Sequence, residues 1–184
     1  MSVLNEILDR EHAMFMSVNA EGEPECRNST EMFKLHRSVQ FSAWSGDTLE
    51  SYLDDLKAAE LENRNLMTYK YARMDDLIPT ENDDPLVQVI TDIQIKWQLE
   101  MVEKYPDLMK NARGVTSPEN SPLSVSFARY LSAELESYSS RTLQLLYRDI
   151  EEYQENDINM SEKVYNKLIS SLGYESIEEF RAAE

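Results

Sequence analysis

Residues 127–150, FARYLSAELESYSSRTLQLLYRDI, hold neither glycine nor proline, and their apolar residues recur every three or four positions. Wound at roughly 100° per residue, Phe127, Leu131, Tyr138 and Leu145 fall within about 40° of one line, the mark of a helix with one buried face. Glu134 falls on that same line. A carboxylate there needs a partner, because an isolated buried charge is costly to desolvate.

The same period runs through the rest of the chain. A first helix is read over residues 2–18 with Ser2 as its cap. Leu4, Leu8, Phe15 and Val18 form its stripe, flanked by Ile7 and Met14. After a loop marked by Gly22 and Pro24, Asn28 with Glu31 three residues on opens a second helix, read as far as Trp44. Asp47 with Glu50 opens a third that turns Leu49, Tyr52, Leu53, Leu56 and Ala59 inward and stops at Asn63. A fourth covers residues 66–78 up to Pro79. In the fifth, Asp83 or Asp84 is the cap, Pro85 takes the first position, and Leu86, Val89, Ile90, Ile93, Trp97 and Met101 form the stripe.

The stretch from Tyr105 to Pro122 reads as irregular. Loops longer than ~12–15 residues are uncommon unless functional or disordered, so it is a candidate lid. The opening helix is read from Pro122, behind Ser121, to Tyr153, with a break near Ser139–Ser140; the serines there read as packing or capping residues. Asn159 with Glu162 starts the next helix, which Gly173 ends, and Ser176 with Glu179 caps a short last one. No strand alternation and no repeat is visible. The expectation is all-α: a single-domain helical bundle, residues 1–184, of about seven to eight helices.

Composition narrows the function. Four glycines and six prolines among 184 residues suit helices. The formal net charge of −17 repels phosphate, which argues against nucleic acid and against an anionic membrane surface. No apolar run approaches the ~20 residues needed to cross a bilayer. The start, MSVLNEILDREHAMF, carries charges through its apolar part, unlike a signal peptide, so a cytoplasmic location is the default reading. A homo-oligomer is compatible with the sequence, which does not set the oligomeric state.

Several chemistries lack their residues. Cys26 is the lone cysteine and cannot form an intramolecular disulfide. A structural zinc site fails on one cysteine and two histidines. A ferritin-like dimetal site needs Glu-x-x-His pairs; only Asp9-x-x-His12 comes near, and Asp9 is off the buried stripe. The glycines are too far apart to cradle a phosphate. No metal and no cofactor is expected. Cys26 lies between the helices carrying His12 and His36, so a thiolate nucleophile is conceivable, although a lone cysteine is more often inert.

Several motifs occur together and in order along the chain: CRN after the first helix, RSVQFSAW (37–44), LESYLDDL from Leu49, NRNL (63–66), KYARM (70–74), ELESYSSRTL from Glu134, and GYESIEE near the end. In these the chain resembles the bacterial domain-of-unknown-function 4125 family, over nearly its whole length. NRNL departs from the family's GRNL. The resemblance implies a soluble helical protein with Arg37, Lys70, Arg73, Glu134 and Tyr138 at characteristic positions, and it carries no activity.

Independently of that resemblance, polar residues break the apolar stripes. Glu11 sits within the first stripe, Arg37, Gln40 and His36 lie between Phe33 and Trp44, and Lys70 lies among Leu66, Met74 and Leu77 with Arg73 at the edge. Such charges should find one another. One reading is a structural ion network. The other is a pocket for a small polar metabolite, amino-acid-like or polyamine-like. There Glu11 and Glu134 would act as acid–base groups, and Arg37, Lys70, Arg73 and Gln40 would hold the ligand. Trp44, Tyr52, Tyr138 and Trp97 would form its walls. The first pairs with a non-enzymatic regulatory or interaction module. An enclosed mixed-charge pocket, the preferred expectation, favours the second; a fully paired core with an exposed apolar patch favours the first.

Overall fold

The computed structural model describes residues 2–18, 29–110, 112–115 and 125–183, and among these the chain forms ten helices and no strand. They are α1 (Val3–Met16), α2 (Thr30–Phe41), α3 (Gly46–Leu61), α4 (Leu66–Met74), α5 (Pro85–Lys104), α6 (Pro106–Met109), α7 (Phe127–Leu135), α8 (Ser140–Glu155), α9 (Met160–Ser171) and α10 (Ile177–Ala183). The all-α expectation holds; α10 is the short last helix read behind Ser176, and α6 is a short addition.

Local chemistry explains the boundaries. Ser2, Ser29, Ser45, Asn65, Asp84, Ser126, Ser139 and Asn159 each accept a hydrogen bond from a first-turn N–H that would otherwise be unpaired. Four helices stop where one residue turns left-handed: Asn63 (φ 54°), Asp76 (57°), Asp157 (55°) and Gly173 (96°). Asparagine, aspartate and glycine tolerate that region best. The next amide then reaches back five residues, as from Arg64 to the Ala59 carbonyl at 2.8 Å.

Several expected boundaries move. The third helix opens behind Ser45 rather than at Asp47, because the Ser45 hydroxyl reaches the Thr48 N–H at 3.3 Å. The second ends at Phe41, short of Trp44. The fourth ends at Met74, since Asp76 turns left-handed and leaves Leu77 74% exposed. On α5, Val89 faces outward, and Val87, Thr91 and Gln98 are buried beside Ile90, Trp97 and Met101. Part of the 105–122 stretch is ordered as α6, behind a buried Tyr105. Asn28, Cys26, Ser121, Pro122 and residues 116–122 of the expected lid lie outside the described residues. The helix read from Pro122 begins at Phe127, behind Ser126.

The break near Ser139 has a larger consequence. It ends α7 at Leu135 and restarts the chain as α8 behind Ser139, which resets the helical phase. Leu145 therefore does not continue the line from Leu131, and α8 buries Thr142, Leu143, Leu146, Asp149 and Ile150 instead.

In packing, α1 lies against α2, α3 and α4; α3 reaches α8, α4 reaches α7, and α5 touches α7, α8 and α9. Ile7, Phe41, Tyr52, Leu56, Ile90, Leu143, Leu146 and Ile150 are buried in the main core. Burying each large apolar side chain stabilises by roughly 1.5–3 kcal/mol. A smaller cluster of Met101, Tyr105, Met109, Ile169 and Ile177 closes the end where α5, α6, α9 and α10 meet. Among the described residues no helix is long and apolar enough to cross a membrane.

Candidate functional site

The polar residues that break the stripes converge where α1, α2, α4 and α7 meet. Glu11, Arg37, Lys70 and Glu134 are all buried there. Arg37 is the hub. Its Nε donates to Glu11 Oε2 at 2.7 Å and its Nη2 to Glu11 Oε1 at 2.5 Å, a two-pronged grip suited to the planar guanidinium. Nη2 also lies 2.7 Å from Glu134 Oε1, and Nη1 donates to Gln40 Oε1 at 2.7 Å. Lys70 Nζ completes the set, 2.8 Å from Glu134 Oε2.

Two tyrosines saturate the carboxylates. Tyr52 on α3 donates to Glu11 Oε1 at 2.6 Å, and Tyr138, just past α7, donates to Glu134 Oε1 at 2.8 Å. Their rings lie 4.9 Å apart, and Trp44 packs edge-on against both. The cations also have aromatic faces beneath them: Arg37 sits 4.6 Å from the Phe41 ring centre and Lys70 3.8 Å from that of Tyr130. Two carboxylates and two cations make the cluster neutral. Every carboxylate oxygen in it accepts at least one hydrogen bond.

Titration follows from this geometry. Burial alone would push the Glu134 carboxyl up, but Arg37 and Lys70 overcome that and hold it far below the usual carboxylate range. Burial likewise opposes the charges of Arg37 and Lys70, and the carboxylates outweigh it, raising both. Burial first, and then the adjacent carboxylates, lift the Tyr52 and Tyr138 hydroxyls well above their usual value.

A group whose folded pKa is raised contributes stability that is fully present below the unfolded value and is lost as the pH climbs. For these tyrosines the loss starts above about pH 10. Of the ten tyrosines, Tyr52 and Tyr138 are thus expected to ionise only as the chain unfolds. An alkaline ultraviolet titration followed beside circular dichroism checks this; ionisation of both while helicity is intact would contradict it.

Of the residues singled out in the sequence, the structure brings together Glu11, Arg37, Gln40, Trp44, Tyr52, Lys70, Glu134 and Tyr138. It sets Arg73 apart: that guanidinium pairs with Glu136 and donates to the Ile78 carbonyl at 2.6 Å, tying the end of α4 to the end of α7. His36 is exposed, and His12 packs edge-on to Phe33. Asp9 pairs with Lys34. Trp97 lies away from the cluster, on a surface cavity of about 400 Å³ between α5 and the α8–α9 turn. Sequence reasoning missed Tyr130 and Phe41, although each stands one helical turn from a charged member.

It also missed a second polar seam between α3 and α8. There the Thr48 hydroxyl donates to Asp149 Oδ2 at 2.6 Å and the Thr142 hydroxyl to Asp55 Oδ2 at 2.7 Å, while Ser51 and Thr142 are 2.8 Å apart. Among the described residues no group of three or more His, Cys, Asp or Glu side chains could hold a metal ion.

The family described as "Protein of unknown function (DUF4125)" matches residues 1–182. The chain belongs to this family. No curated protein and no solved structure matches it. For this DUF4125 chain, the function has to be read from its own geometry.

Proposed function

We propose that this chain is a non-enzymatic binding module whose buried charges are structural, locking the order of its helices, and that it meets a basic partner through its acidic exterior. The observation that carries the reading is that the four charges of the cluster pair with one another. Arg37, Lys70, Glu11 and Glu134 spend their hydrogen bonds on one another and on Tyr52, Tyr138 and Gln40. Neither of the two cavities described is lined by any of the four.

An acid–base role for Glu11 and Glu134 on a small polar metabolite, with Arg37, Lys70 and Gln40 holding it, draws less support. A substrate would have to displace charge-assisted bonds that the protein already makes to itself, at a cost of several kcal/mol. Arg73, turned to Glu136, would not take part. The exterior fits a cationic partner because the net charge is −17, which steers opposite charge toward the surface.

Calorimetry with a lysine-rich peptide and a glutamate-rich peptide as probes tests this. Binding of the lysine-rich peptide at low ionic strength, weakened by added salt, is expected. A glutamate-rich peptide that bound equally well would overturn it.

A further inference from the structure

A second cavity, of about 290 Å³, opens between the α2–α3 turn and the C-terminal half of α8. Its chemistry differs from that of the closed network. Asp149 lines it and is 4% exposed. Its Oδ2 accepts from the Ser45 N–H at 2.9 Å and the Thr48 hydroxyl at 2.6 Å. Its Oδ1 accepts from no described residue, so half of a buried carboxylate is unmatched, a costly condition without a partner.

On the same cavity stands Lys163, whose Nζ meets, among the described residues, only the Tyr153 hydroxyl, at 2.8 Å, and its ring. Tyr153 is fixed in turn by donating to the Ala43 carbonyl at 3.0 Å. Glu152 lines the cavity too, and its carboxylate pairs with no cation among the described residues. In a chain of net charge −17, where cations are scarce, an acid and a lysine on one small cavity would be expected to pair. Here no ion pair forms between them although all line the cavity, and Trp44 gives it an apolar wall.

We propose that this cavity binds a small zwitterion of the free amino-acid class. Its ammonium meets Asp149 Oδ1 and Glu152, its carboxylate meets Lys163, and its carbon skeleton lies against Trp44. A ligand with both charges satisfies both unmatched ends at once. An amine or a carboxylic acid alone satisfies one and leaves the other exposed. The inference goes beyond the reading above and is independent of it, since the cavity shares none of the four charged residues of the network.

The test is calorimetry of the full chain with the common free amino acids at millimolar concentration, each compared with the amine and the carboxylic acid that carry one of its two charges. At least one amino acid is expected to bind, and its singly charged analogues at least about tenfold more weakly, because each leaves a counter-charge unpaired. Lys163→Met and Glu152→Gln, both at exposed positions where the fold tolerates change, are expected to weaken binding by a similar factor. Asp149→Asn should abolish it.

No binding by any amino acid would overturn the proposal. So would analogues that bind as well as the parent ligand, or binding that Lys163→Met leaves unchanged. None of these outcomes touches the lysine-peptide experiment, so the two readings fail separately.

Discussion

Replacing Arg37 by methionine is expected to remove roughly 3–5 kcal/mol of unfolding free energy, because it strips the cation from two buried carboxylates at once. Among the described residues Glu11 would keep only the Tyr52 hydroxyl, and Glu134 would keep the Lys70 ammonium and the Tyr138 hydroxyl. Methionine fills much of the volume of the arginine stem, so the loss reflects charge and hydrogen bonding more than a cavity. Urea denaturation is the measurement. The midpoint should fall with the slope unchanged, as for a change in stability alone. Arg37→Lys should recover only part of the loss, since an ammonium cannot grip Glu11 with two parallel bonds. A loss below about 1 kcal/mol, the range of an exposed ion pair, would contradict the account.

The second large effect lies at Glu134. Glutamine has nearly the same shape, but its single oxygen can serve either Tyr138 and Arg37 or Lys70 Nζ, now 2.8 Å from a carboxylate oxygen, and its amide nitrogen then faces the other donors. Lys70 would become a buried cation supported mainly by the Tyr130 ring, 3.8 Å below it. Glu134→Gln is therefore expected to cost several kcal/mol at neutral pH, within the range for a broken buried pair of about 3–5 kcal/mol. The pH dependence follows from a depressed carboxyl. Its contribution is present above the unfolded value of about 4.3 and is lost only as the pH falls toward the lower folded value. The gap between parent and variant should hold steady from neutrality to about pH 4 and close below it.

These residues were legible because the apolar period made them conspicuous. Glu11 and Glu134 stand where leucine belongs, Lys70 lies on the buried side of α4, and Tyr52 and Tyr138 share inward faces; the structure joins all five to Arg37. Arg73 was harder. It lies three residues beyond Lys70, about 60° around the helix, which is far enough to turn it to a different acid, Glu136.

The break at Ser139 hid more. A single phase carried from Phe127 to Ile150 makes Leu145 look buried and Asp149 look incidental. Restarting the phase at Ser140 puts Thr142, Leu143, Leu146 and Asp149 on the inward face, the same kind of polar interruption that exposed Glu134. The serine caps at Ser45 and Ser126 were overlooked for a related reason. A hydroxyl caps as well as the acids and asparagines of the capping box, and the sequence offers several candidates within a few residues. Tyr130 and Phe41 leave little trace, since an aromatic on a helix reads as core whether or not a cation rests on it.

The most direct test of the structural role is a double-mutant cycle on the pair at the end of the network: Lys70→Met, Glu134→Gln and the two together, each by urea denaturation at neutral pH. If the charges serve each other, each single change strands its partner, and the double change removes the stranded charge. The double variant should then be more stable than the sum of the single losses implies, by a coupling energy of about 2–3 kcal/mol. Losses that simply add, with coupling near zero, would mean that Lys70 and Glu134 are held for something other than each other, and the reading of this cluster as a lock on the helices would be wrong.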